Sequence, residues 1–175
     1  MREPLLSVCL ITYNHYNYIK DAIEGILMQQ VDFTWELIIA DDYSTDGTRE
    51  ILIEYKQKHP SFIKLILQEK NVGPAKNWED LIQYPKSKYI AYIEGDDFWI
   101  NPLKLQKQVD FLETNNEYSM CFHNAIKYYD GIHKKVGSFN NLNKDNDLSL
   151  HNAVHDWVIP SASIVGRTEI MQTYT

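Results

Sequence analysis

Only two cysteines occur in the 175 residues, Cys9 and Cys121, each inside an apolar strand-like run with no metal-ligand spacing between them. That excludes a disulfide-built scaffold and reads as two small buried side chains of a reducing compartment. Glycine is missing where two large nucleotide-binding classes need it. No Gly-rich fingerprint follows the first apolar run and no Gly-Lys-Ser/Thr loop occurs anywhere, so dinucleotide-dependent dehydrogenases and P-loop NTPases fall away. Nucleotidyltransferases want a glycine- and basic-rich loop after strand one, where this chain has Tyr13-Asn14-His15-Tyr16-Asn17. No run approaches the length of a membrane span, and Met1-Arg2-Glu3-Pro4 lacks a signal peptide's apolar core. The expected setting is cytoplasmic, with peripheral contact at the inner face of a membrane left open. A Lys/Arg stripe interleaved with aromatics is also lacking, and the formal charge is −7, which argues against nucleic acid as a partner. An anionic ligand would need a cation or backbone N–H groups to hold it. There is no Gly/Ser linker, repeat or low-complexity block, and 44% of residues are hydrophobic, so one globular domain over residues 1–175 is expected.

What is present is alternation. Short apolar runs at Leu5–Thr12, Trp35–Ala40, Phe62–Leu67 and Tyr89–Ile93 have the character of buried strands. Between them lie amphipathic patterns: Ile19, Ala22, Ile23, Ile26 and Leu27 through Gln30, then Ile51, Leu52 and Tyr55 within Thr48–Lys58. Asp46 or Ser44 is placed to cap the second helix, and Pro74 suits the first turn of a third over Ala75–Gln83. Asn101-Pro102 opens a fourth, with Leu105, Val109 and Leu112 facing inward. This predicts an α/β fold, a Rossmann-like, mostly parallel central sheet flanked by helices. Beyond Asn115 the pattern changes to mixed or antiparallel strands: Tyr118–Tyr129, a hairpin partner in Gly131–Phe139, a polar loop at Asn140–Asp147, and Val158–Val165 before a helix starting near Arg167.

Glu94-Gly95-Asp96-Asp97 places three carboxylates in four residues directly after an apolar strand, and such mutually repelling charges suit a cation among them. A divalent metal is expected there. A second acidic strand exit, Asp41-Asp42-Tyr43-Ser44-Thr45-Asp46-Gly47, follows Trp35–Ala40. Ligands of parallel sheets bind at the carboxyl ends of the strands. Tyr13-Asn14, Asp41-Asp42, Asn71–Gly73 and Glu94–Asp97 all follow strands, so all four clusters should converge on one edge.

Together with Ser7–Asn14, Asp41–Thr48, Asn71-Val72-Gly73 and Trp99-Ile100-Asn101-Pro102-Leu103-Lys104-Leu105, the acidic stretch resembles family 2 glycosyltransferases of the GT-A fold, in order and spacing over about residues 5–125. The resemblance implies a nucleotide-sugar site. Asp42 would accept a hydrogen bond from the base, commonly uracil, with Tyr13 and the Ile11 backbone as its wall and Asn14 fixing the loop. Asn71 and Gly73 would lie beneath the nucleotide, and Lys76 would reach a phosphate. Asp96 would approach the ribose or the metal, and Asp97 would ligate the Mn²⁺ or Mg²⁺ that bridges the donor diphosphate. Glu94 stands where the family more usually has Asp, one methylene longer, on the acceptor side. Read without the resemblance, Asp42 is a turn residue, Tyr13 is core, and Asn71-x-Gly73 is a tight turn.

The resemblance divides the chain into a nucleotide-binding half at 1–115 and the start of an acceptor-side half at 116–175. His123 and Asn124 would approach the acceptor if their strand joins the same edge, or serve as packed, hydrogen-bonded residues. In the family the catalytic base is a carboxylate beyond a segment like Ile159-Pro160-Ser161-Ala162-Ser163, so a truncated chain lacking it is expected. Asp156, within His155-Asp156-Trp157, is the candidate that precedes that segment. The implied activity is inverting, metal-assisted transfer from a UDP-like donor to a saccharide or lipid-linked saccharide hydroxyl, as in surface-polysaccharide assembly. A homo-oligomer is compatible with it. The alternative is a nucleotide-sugar-binding fragment or scaffold with no turnover.

Overall fold

The computed structural model describes residues 3–129, 134–141 and 158–174 of the chain. Strands β1 (Leu6–Thr12), β2 (Trp35–Asp41), β3 (Ile63–Leu67) and β4 (Tyr89–Glu94) alternate with helices α1 (Ile19–Leu27), α2 (Thr48–Lys58), α3 (Pro74–Ile82) and α4 (Lys104–Thr114). Short strands β5 (Met120–Cys121), β6 (Ile126–Tyr129), β7 (Lys134–Ser138) and β8 (Val165–Arg167) follow, then a last helix, α5 (Thr168–Met171). The main sheet has the order β3-β2-β1-β4-β8-β5. Pairing is parallel from β3 through β4 and antiparallel on both sides of β8. β6 and β7 form a separate antiparallel ribbon.

Helices on both faces explain why β1 and β2 read as continuous apolar runs instead of alternating ones. Leu6, Val8 and Leu10 of β1 join Leu37 and Ile39 of β2 against the buried stripes of α1, α2 and α4. The intervening residues, Cys9, Ile38, Ala40 and Ile90, pack on Leu81 and Ile82 of α3. Each fully buried Leu or Ile contributes about 1.5–3 kcal/mol, so this two-sided burial sets the strand register. Full burial also pushes the Cys9 thiol pKa up, with Glu36 adding to the effect, which leaves it an inert core residue. Cys121 is only half-buried, a departure from the expected core position.

Three boundaries differ from the periodicity, each because side chains or tertiary contacts compete for the backbone. α1 stops at Leu27 instead of Gln30: Gln29 Nε2 donates to the Asn101 carbonyl (2.8 Å), and the Gln30 N–H donates to the Pro102 carbonyl (2.8 Å). The strand expected over 118–129 is interrupted after Cys121, where Asn124 Oδ1 accepts the N–H groups of Ala125 (2.9 Å) and Asn140 (3.1 Å). The strand expected over 158–165 is instead a 3-10 turn at Ser161–Ser163 followed by β8. Pro160 supplies no N–H, and its carbonyl accepts the Ser163 N–H (3.0 Å) and hydroxyl (2.6 Å).

Gly25 lets α1 lie directly on the loop after β4. A Cβ there would sit 2.8 Å from both the N and O of Trp99. Gly25→Ala is therefore expected to cost about 2 kcal/mol by overpacking, seen as a lower urea midpoint with an unchanged m-value.

Candidate functional site

Parallel register brings the strand exits to one rim. Thr12 pairs with Asp41 and Ile11 with Glu94. Backbone bonds continue past the strands, from Asp42 N–H to the Thr12 carbonyl (3.0 Å) and from Gly95 N–H to the Ile11 carbonyl (2.9 Å). The two acidic clusters thus leave the sheet on either side of β1.

Asp41 and Asp42 are adjacent and both buried, and they hold different loops. Asp41 receives the Arg49 guanidinium through Nε and Nη2, each at 2.7 Å, together with the Ser44 N–H (3.1 Å) and hydroxyl. Asp42 turns to the β3–α3 loop, accepting the N–H groups of Val72 (2.7 Å) and Gly73 (3.0 Å), while Asn71 Nδ2 donates to its carbonyl (3.3 Å). Gly73 has φ 86°, a left-handed conformation that side chains resist, and this aims its N–H at the carboxylate. Arg49 is the residue sequence reasoning missed here. A cation in a helix's first turn opposes the helix dipole, so it calls for a partner such as Asp41. Arg49→Lys loses the two-pronged contact and is expected to cost about 1–2 kcal/mol in a thermal melt.

Asn14 adopts φ 54° and ties the β1 exit to the β2 exit: its N–H donates to Ser44 Oγ (2.9 Å) and its Oδ1 accepts the Thr45 N–H (2.9 Å). Asp46 accepts the Tyr16 N–H (3.0 Å) and, at the start of α2, the Thr48 N–H (3.0 Å). Of the two capping candidates, Asp46 serves that end of the helix, while Ser44 bridges the loops. Tyr13 is left 45% exposed above this stitched pair of loops.

A cleft of ≈ 710 Å³ opens between these loops and α3. Ile11, Tyr13, Asp42, Asn71, Glu94 and Asp96 all line it. Its remaining wall includes His15, Asn77, Trp78 and Tyr92, none of which stood out in the sequence. Trp78 and Tyr92 meet edge to face with centroids 4.6 Å apart. Their one available signal was a polar or aromatic residue facing the strand exits of a sheet. Asn14 and Gly73 support the cleft from behind through the bonds above, and Asp97 stands beside it on the rim.

The acidic residues after β4 are not equivalent. Glu94 Oε1 accepts the Tyr92 hydroxyl (3.1 Å) and Oε2 accepts the Ser161 hydroxyl (2.9 Å). Asp97 has a solvent-reaching edge, yet partial desolvation, then Asp96 and Glu94, push its pKa up to about 6. Among the described residues no three His, Cys, Asp or Glu side chains are arranged to cage a metal. Mg²⁺ and Mn²⁺ are typically held by one or two carboxylates plus phosphate oxygens. Asp96 and Asp97 therefore fit a cation that arrives with a diphosphate.

A sequence model of glycosyl transferase family 2 matches residues 7–165. The chain belongs to this family. It is 38% identical over 165 residues to an uncharacterized protein of Mycobacterium tuberculosis, Rv1520, covering 94% of this chain and 47% of that protein. It is 38% identical over 110 residues to the putative teichuronic acid biosynthesis glycosyltransferase TuaG of Bacillus subtilis, 63% of this chain and 42% of TuaG. The chain spans about half the length of the curated relatives it matches. The fold matches S. aureus TarS 1-349 in complex with UDP at a TM-score of 0.75 and 23% identity, covering 97% of this chain and 48% of TarS. The GT-A architecture expected from the motifs is the one observed.

Within this family 2 chain the other expected site residues lie away from the cleft lining. Lys76 pairs with Asp80 (2.8 Å) and Glu79 (3.1 Å) on its own helix. β5 runs parallel to β4, so His123 and Asn124 emerge at the same rim, but two strands over. There His123 Nδ1 contacts the Asn124 carbonyl (2.8 Å) and Asn124 closes the base of the β6–β7 ribbon. Burial, opposed by that carbonyl contact, lowers the His123 pKa, and the nearby Lys104 charge lowers it further. His155, Asp156 and Trp157 fall outside the described residues. No helix of the described residues is long and apolar enough to cross a membrane.

Proposed function

We propose that this chain binds a nucleoside-diphospho-sugar of the UDP type and serves its transfer, with inversion, to an acceptor hydroxyl. The observation that carries the reading is the meeting of the loops after β1, β2, β3 and β4 around one cleft that contains Asp42 and Asp96. Asp42 keeps lone pairs beyond the two given to Val72 and Gly73, so its carboxylate can still accept the imide N–H of a uracil. Tyr13 then offers its exposed ring to the base, and Asn71 supports the loop beneath. Asp97, with Asp96, would hold Mn²⁺ or Mg²⁺, whose chemistry is to offset negative charge on the departing diphosphate. An anionic diphosphate beside uncompensated carboxylates would otherwise be repelled.

In this reading residues 1–115 are the nucleotide half of the domain, and 116–175 begin the acceptor side. The catalytic base is assigned to no described residue. A positioned base is worth about 10²–10⁴-fold in rate, so donor binding is the property to test on this chain. Calorimetric titration with UDP and Mn²⁺ is expected to show heat that vanishes without the metal. No heat above the metal-free control would remove the reading. The acceptor is a saccharide or lipid-linked saccharide, and relatives such as TuaG give the setting of surface-polysaccharide assembly by analogy only.

A further inference from the structure

The stretch from Glu94 to Gln108 does more than present acids, because three of its side chains seize three consecutive residues of the Ser161–Ser163 turn. Glu94 Oε2 accepts the Ser161 hydroxyl (2.9 Å), Trp99 Nε1 donates to the Ala162 carbonyl (2.8 Å), and Gln108 Nε2 donates to the Ser163 carbonyl (2.9 Å). The turn is further closed by the Ile164 N–H to the Ser161 carbonyl (3.3 Å), and β4 takes the Ile164 carbonyl through the Tyr92 N–H (3.3 Å). Of the three gripping side chains only Glu94 also lines the cleft. Its second oxygen is occupied by the Tyr92 hydroxyl (3.1 Å). Both oxygens of the first acid in the cluster therefore already serve the protein's own hydroxyls.

We infer that Glu94 is a positioning residue: it ties the edge of the cleft, which it lines, to the Ser161–Ser163 turn lying behind it, and acts on the ligand by holding that edge in place, the cation falling to Asp96 and Asp97 because the three acids do not converge on one point. The inference rests on reading the cleft as a nucleotide-sugar site. Length explains the residue type. An aspartate is one methylene shorter and cannot keep the same backbone position while spanning to Ser161. The pin also accounts for the aromatic and glutamine of the 99–108 segment, whose other grips hold the same turn from behind.

Amide hydrogen exchange on the nucleotide-free chain, followed at Ser163 and Ile164, tests the pin without any ligand. Ser161→Ala and Glu94→Asp are each expected to speed exchange there by about tenfold, the size of one hydrogen bond to a charged group. Ser161→Thr, which keeps the hydroxyl, is expected to stay at the wild-type rate, and the double variant to exchange no faster than either single one. Titration with UDP and Mn²⁺ then reads the consequence. Glu94→Asp and Ser161→Ala should lower affinity by the same factor, about threefold to tenfold, since both release the same tie, and unchanged affinity in both would overturn the inference. Wild-type exchange in Glu94→Asp, or multiplied rates in the double variant, would overturn the inference. So would a loss of affinity beyond about fivefold in Glu94→Asp with Ser161→Ala unaffected. Failure of the wild type to bind UDP would remove the functional reading alone, because the exchange arms are judged without nucleotide.

Discussion

Lys104→Met is expected to make the protein more stable at pH 7, by about 2–3 kcal/mol in urea unfolding. Lys104 opens α4 and is 4% exposed, with no hydrogen-bond partner for Nζ among the described residues and the Trp99 ring centroid 4.0 Å away. Desolvation pulls its pKa from 10.5 down to about 7, against a smaller opposing effect from Cys121. The sign follows from proton counting. In the unfolded chain the amine binds its proton up to the ordinary lysine range, whereas in the folded chain it releases it from pH 7 upward. Protonation thus favours unfolding. The penalty is full below pH 7, shrinks as pH rises, and is gone above about 10.5, the ordinary lysine pKa. The full shift corresponds to about 5 kcal/mol, about 4 of it present at pH 7, from which the attraction to the Trp99 face returns about 1–2 kcal/mol. Methionine keeps the aliphatic stem and loses the charge. The gap between variant and wild type should close between pH 7 and 10, and a gap independent of pH would show that packing, not charge, sets it.

Asp97→Asn is expected to weaken Mn²⁺-dependent UDP binding by about 100-fold or more, since an amide oxygen is a poor substitute for a metal-binding carboxylate. The same change should stabilise the nucleotide-free protein. Asp97 has its pKa raised from 3.8 to about 6, first by desolvation and then by Asp96 and Glu94, so its ionisation works against the fold. The folded state holds the proton more tightly, hence stability is greatest below the unfolded value and is lost as pH rises through 6. Solvent at the edge of Asp97 reduces the effect to about 1 kcal/mol at pH 7. Cation binding by the wild type should accordingly weaken below pH 6, where the proton competes. Equal metal-dependent binding by the variant and the wild type would take Asp97 out of the site.

The rim on which the cleft opens was legible because it depends on direction and not on detail. Parallel strands share one carboxyl edge, so Tyr13, Asp42, Asn71 and Asp96 had to come together once the alternation of β1 to β4 was read correctly. What escaped was allocation. Asp41 and Asp42 look alike in sequence, yet one is saturated by Arg49 and Ser44 while the other faces the cleft and the Val72-Gly73 amides. Lys76 read as a candidate for a phosphate, and in the nucleotide-free structure it pairs with Asp80 and Glu79, one turn along the same helix. The C-terminal third was least legible because its strands, among the described residues, are only two to five residues long, so a single side chain such as Asn124 outweighs the ladder.

Local pattern alone determined the alternating order of strands and helices, the edge at which the loops gather and the acids available there, since burial periodicity and strand direction are properties of neighbouring residues. Which acid holds a loop, which faces the cleft and which pins a turn was decided only in three dimensions. A carboxylate's role is set by the donors that reach it, and here those donors, Val72 and Ser161, come from 30 and 67 residues away.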